Sequence, residues 1–184
     1  GLAGLRVGCD SVTIAAPEKV AWTINRMSPD LITHKVKGSY FNIKNAKEMV
    51  KFAERYDAFL IGNGVTRKAD KFCQYVIKKS PKLKVIDADA LKSLSFKDFH
   101  NAILTPHETE LQILTGCDTV TKDTLAESCK PLLDTGVKTV VVTIGREGAV
   151  IVTDQSVEHV PTFPVEVVDT TAAGDAFTGA LACA

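Results

Sequence analysis

Short β-branched runs recur along this chain, each followed at once by a polar or glycine turn and then by an amphipathic stretch, and this alternation constrains the fold most. Ala58-Phe59-Leu60-Ile61 ends at Gly62-Asn63-Gly64, Lys84 to Ile86 at Asp87-Ala88-Asp89, Ala102-Ile103-Leu104 at Thr105-Pro106-His107, and Lys138 to Val142 at Thr143-Ile144-Gly145. Continuous apolar runs such as Val140-Val141-Val142 suit strands covered on both faces, as in parallel sheets. Helical spacing follows over 45–56, 67–79, 108–115 and 121–134. Ser11 to Ala15 reads as a further strand, Pro17 to Met27 as a helix with Pro17 in its first turn, and Leu31 to His34 as a weak strand. Gly148 to Thr153 with Val157 to Val160 reads as a hairpin around Asp154-Gln155-Ser156. The fold predicted is a three-layer α/β/α sandwich with a mostly parallel central sheet ending in an antiparallel hairpin.

If those strands are parallel, their four turns gather on one edge of the sheet, where open α/β folds bind ligands. At 184 residues and 45% hydrophobic, residues 1–184 suit one domain with a well-buried core. Apolar helical spacing over Gly1 to Gly8 has no cap before it, and Ala176 to Ala184 stops while still apolar and helical, so the expectation is a domain truncated at both ends. The 22 basic and 22 acidic residues cancel. That balance gives no electrostatic reason for a nucleic-acid or anionic-membrane partner. With no spanning apolar run and no signal segment, a soluble cytoplasmic protein is expected. Cys9, Cys73, Cys117, Cys129 and Cys183 are odd in number and never form Cys-x-x-Cys, so they read as reduced thiols.

The stretch from Val168 to Phe177, VDTTAAGDAF, places small residues and one carboxylate where an apolar helix begins. A helix N-terminus aims backbone N–H groups and the positive end of its dipole at developing negative charge. Ala172, Ala173 and Gly174 leave that backbone uncovered, and Asp175 falls in the first turn, placed to take a proton from a hydroxyl attacking a phosphate. The competing reading is a plain N-cap through Thr171 or Asp175.

Other candidates carry similar pairs of readings. Gly62 and Gly64 permit close approach to a ligand or simply turn the chain. No dinucleotide fingerprint completes them, since Arg67 stands where the third glycine belongs, and no Gly-Lys-Ser/Thr phosphate loop occurs. Asp87 and Asp89 would touch substrate or sit in a solvated turn. His107 would bond substrate or cap the next helix. Glu110 is a candidate for holding a hydrated Mg²⁺ near phosphates, against an exposed first-turn glutamate favoured by the dipole.

Together these turns resemble the ribokinase-like superfamily of ATP-using small-molecule enzymes, through Thr143 to Gly148, TIGREG, and Asp169 to Phe177. Val12 to Glu18, Ser28-Pro29-Asp30, Ile61 to Gly64, Val85 to Leu91 and Leu104 to Glu110 resemble its ATP- or ADP-dependent NAD(P)H-hydrate dehydratases. The resemblance implies Asp175 as the base, Ala172 to Gly174 as the anion hole, and Thr143, Gly145, Gly148 and Thr171 beside the nucleotide. It also implies ATP or ADP with Mg²⁺, hydrated NADH or NADPH or another small hydroxyl acceptor as substrate, and allows a homo-oligomer. Two departures lean toward the kinase branch: Thr171-Ala172-Ala173-Gly174-Asp175 replaces a more glycine-rich run, and Thr143-Ile144-Gly145 replaces a lysine-glycine loop. A sugar, nucleoside or vitamin-precursor kinase is therefore the alternative, and a non-catalytic nucleotide-binding domain a third reading.

Overall fold

The computed structural model describes residues 1–93 and 99–184. Six strands form one sheet in the order in which the chain makes them: β3 (Ala58–Ile61), β4 (Leu83–Ile86), β5 (Ala102–Leu104), β6 (Thr139–Thr143), β7 (Ala149–Val152) and β8 (Val157–Val160). The first four are parallel, and β6, β7 and β8 are joined antiparallel. This is the expected α/β architecture with a mostly parallel sheet. The continuous apolar runs are buried as their composition demands, with Val140, Val142, Ile86 and Leu104 fully enclosed. β8 is exposed along its length, as an edge strand that pairs on one side only.

β1 (Thr13–Pro17) and β2 (Ile32–Val36) form a separate two-stranded parallel sheet joined by α2 (Glu18–Met27). Pro17 closes β1 and precedes α2 instead of lying in its first turn. α3 (Ile43–Ala53) begins earlier than the apolar spacing alone indicates, because Asn42 accepts from the Lys44 amide at 2.9 Å while Asn45 accepts from the Asn42 amide at 3.1 Å.

Between the strands run α4 (Asp70–Lys79), α5 (Ala88–Lys92), α6 (Glu108–Thr115) and α7 (Leu125–Leu133). Each packs on the next, and the core between them and the sheet is built from Phe72, Ile77, Leu91, Leu111 and Leu132. α7 starts four residues later than expected, since 121–124 is held as a turn by Thr121 and Thr124 hydroxyl bonds. α1 (Leu2–Arg6) packs against α8 (Ala173–Leu181), so the two ends of the chain meet.

That meeting corrects the reading of the cysteines. Cys9 and Cys183, 174 residues apart, form a disulfide. Their Cα separation of 5.8 Å lies within the range that a bridge spans. No local spacing could announce it, because it follows from the docking of α1 on α8. Cys73, Cys117 and Cys129 are free thiols as expected, and burial pushes Cys73 and Cys129 up to about 12. Among the described residues no helix is long and apolar enough to cross a membrane.

Candidate functional site

Because β3 to β6 are parallel neighbours, their carboxyl-end turns line one edge of the sheet, and the first turn of α8 arrives beside them. A cavity of about 240 Å³ opens there, walled by Asp87, Thr105, His107, Glu110 and Thr143 on the sheet side and by Ala172, Gly174 and Asp175 on the helix side. Thr143 is tied into the edge by its amide, which donates to the Pro106 carbonyl at 3.1 Å.

The helix end is open to an anion. Ala172 adopts φ 61°, and no side chain caps the first amides of α8. The Ala173 amide donates to the Thr170 carbonyl at 3.1 Å, so it is not free, contrary to the expectation for the 172–174 run. Among the described residues, the Ala172, Gly174 and Asp175 amides have no acceptor. A side chain at Gly174 would meet nothing within 4 Å, so the space beside that residue is open. Open amides at a helix N-terminus fit a phosphate. Thr171 turns its amide to Asp169 Oδ1 at 2.8 Å, which holds the Asp169 carboxyl below the usual range and shapes the loop before the helix.

Asp87 is buried rather than solvated. Its Oδ1 accepts from the Thr105 hydroxyl at 3.0 Å and its Oδ2 from the Asn63 amide at 2.8 Å. Burial raises its pKa, while the Asn63 and Thr105 hydrogen bonds pull it down and the Glu110 charge raises it further. Asp89, by contrast, sits in the first turn of α5, 3.6 Å from Lys92 Nζ and off the cavity wall.

His107 does cap α6. Its Nδ1 accepts from the Glu110 amide at 3.3 Å, and Glu110 Oε2 accepts from the His107 amide at 3.2 Å, a reciprocal pair with histidine in the place usual for serine or threonine. Glu110 is buried, not an exposed first-turn acid, and its Oε1 lies 3.5 Å from Lys92 Nζ. A carboxylate already engaged by an ammonium and a backbone amide does not fit as a direct Mg²⁺ ligand. Both Asp87 oxygens are likewise taken, and among the described residues no cluster of three metal-binding side chains occurs. Neither carboxylate is therefore free to ligate a metal directly.

The remaining glycines divide. Gly62 has φ 130°, and a Cβ there would overlap the Asp87 carbonyl, so the backbone it admits is that of the next turn rather than a ligand. Gly148, at φ 103°, similarly makes room for the Val160 carbonyl of the hairpin. Gly64 and Gly145 face open space, and neither lines the cavity. Between Gly62 and Gly64 stands Asn63, whose role no local sequence spacing signals. Its Nδ2 donates to both Asp87 Oδ2 and Asp175 Oδ1, the latter at 2.6 Å.

The chain is 34% identical over 116 residues to the bifunctional NAD(P)H-hydrate repair enzyme Nnr of Methanothermobacter thermautotrophicus, a match covering 59% of this chain and 22% of that protein. It is 46% identical over 77 residues to the deoxyribokinase of Salmonella typhi, covering 42% and 25%. These alignments thus span about a quarter of each curated relative. Among solved structures, a phosphofructokinase-2 variant from Escherichia coli aligns with TM-score 0.75 at 18% identity, over 98% of this chain and 71% of that one. Ribokinase from Thermotoga maritima aligns with TM-score 0.66 at 21% identity, over 99% and 70%. Both support a ribokinase-like fold. The sequence model of the family described as NAD(P)H-hydrate dehydratase matches residues 1–184.

Proposed function

The chain belongs to the NAD(P)H-hydrate dehydratase family, and from that membership we propose that it restores hydrated NADH or NADPH to the reduced coenzyme at the expense of ATP or ADP. The observation that carries the reading is Asp175, whose carboxylate stands beside open helix amides and across a cavity from Asp87, Thr105 and Thr143.

Asp175 takes the proton of the hydrate hydroxyl as that oxygen attacks the terminal phosphorus of the nucleotide. The bond from phosphorus to the bridging oxygen breaks, and ADP leaves, or AMP when ADP is the donor. The Gly174 and Asp175 amides stabilise charge on the transferring phosphoryl oxygens without reorganising, since no side chain must first be displaced from them. The ring C–O bond then breaks with its electron pair going to phosphate, a proton leaves the neighbouring ring carbon, and the ring double bond is restored. Thr143 lines the cavity at the nucleotide, with Gly145, Gly148 and Thr171 in the flanking loops. Asp87 and His107 face the substrate.

A small-molecule kinase would use the first step alone. Ala172 and Ala173, in a run that is more glycine-rich in the dehydratases, favour that second reading. Incubation with ATP and hydrated NADH separates the two: recovered reduced-nicotinamide absorbance with released phosphate supports the dehydratase. ATP consumption with a sugar or nucleoside and no recovery supports the kinase. Nucleotide-dependent thermal stabilisation with neither reaction would leave only a binding domain.

A further inference from the structure

We propose that Asn63 is a positioning residue whose side-chain amide holds the Asp175 carboxylate in place for proton removal by bonding Asp175 and Asp87 on its two N–H groups. The inference rests on Asp175 being the base. A primary amide nitrogen carries two hydrogens, and here each meets a different carboxylate, at 2.8 Å and 2.6 Å. Ionised carboxylate oxygens only accept, so the nitrogen, not the carbonyl oxygen, faces them.

The arrangement extends inward. Thr105 donates to Asp87, Asp87 accepts from Asn63, and Asn63 donates to Asp175, so a chain of hydrogen bonds runs from the β5 turn to the first turn of α8. α8 is otherwise packed chiefly against α1, and the disulfide secures its far end. The Asn63 bond therefore ties the reacting end of that helix to the sheet. Without it, two carboxylates would approach one another with no donor between them.

Two further observations suit this role better than that of a turn filler. Asn63 Oδ1 is buried with no hydrogen-bond partner among the described residues. Such an orphan carries a desolvation cost that a smaller turn residue would avoid. Gly62 and Gly64, at φ 130° and 71°, hold the flanking backbone where few other residues can, and so fix where the Asn63 side chain emerges.

The test is turnover of hydrated NADH with ATP by the full chain, alongside ATP-induced thermal stabilisation. Asn63→Leu keeps the shape and removes both donors. The expected result is a kcat about 10- to 100-fold lower, the scale of a displaced catalytic group, with KM for ATP changed less than about twofold. In an Asp175→Asn background the same substitution should cost nothing more, because Asn63 acts through that carboxylate; a merely structural role would multiply the losses. Unchanged kcat in Asn63→Leu, or multiplying losses in the double variant, overturns the inference. If the leucine variant shows no cooperative thermal transition, Asn63→Ser, whose hydroxyl serves one carboxylate at a time, is read by the same criteria. Full turnover in Asp175→Asn alone overturns the proposed base and this inference with it. Loss in Asp175→Asn with none in Asn63→Leu overturns the inference alone.

Discussion

Asn63 Nδ2 donates to Asp175 Oδ1 at 2.6 Å across 112 residues of sequence, joining the turn after β3 directly to the first turn of α8. The carboxyl edge of the parallel strands and the helix end that approaches it thereby form one site, with Asp87 buried beneath them. The consequences reach stability as well as chemistry.

Gly62 makes the first case. A Cβ at this position would overlap the Asp87 carbonyl, and its φ of 130° is one that residues with a side chain rarely adopt. Gly62→Ala should lose about 2–5 kcal/mol, the sum of backbone strain and forced displacement of the neighbouring turn. Urea denaturation measures it, and a variant as stable as the parent would show that the two turns do not approach as described.

Asp87 gives a pH signature. Burial raises its carboxyl above the ordinary value of 3.8 in the folded state. A raised group favours folding fully only below its unfolded value, and that contribution is lost as pH climbs through the folded value. Asp87→Asn stays neutral throughout, so its stability relative to the parent should grow as pH rises from about 4 toward neutrality. Urea midpoints at several pH values check this; parallel profiles would contradict it.

The disulfide closes a span of 174 residues. On the chain-entropy account such a loop restrains the unfolded state by roughly 5 kcal/mol. Reduction with a dithiol should therefore lower Tm by about 10–20 °C, and Cys9→Ser with Cys183→Ser should match the reduced parent. Identical melting in the presence and absence of reductant would show that the bridge is not formed.

What could be read in advance follows a physical division. β6 was legible because three β-branched valines in succession suit a strand covered on both faces, and the gathering of turns 62, 87, 105 and 143 followed from parallel pairing. α5 was not, because Asp87-Ala88-Asp89 is turn-like in composition and a five-residue helix has no period to detect. Lys84 likewise hides in its strand: it is fully buried, donates to the His100 carbonyl at 3.1 Å, and has its pKa lowered by burial. The His107–Glu110 pair carried a readable signal, a cap three residues before a glutamate, but histidine is an unusual capping residue. Asn63 and the Cys9–Cys183 bridge depend on contacts between distant segments, which local spacing does not encode.

Turnover of hydrated NADH with ATP, compared between the parent chain and Asp175→Asn, tests the central claim most directly. Removal of a positioned base should cost about 10² to 10⁴ in rate, while ATP still raises the melting temperature of the variant as it does that of the parent. Comparable turnover in the two proteins would contradict the assignment of Asp175 as the base.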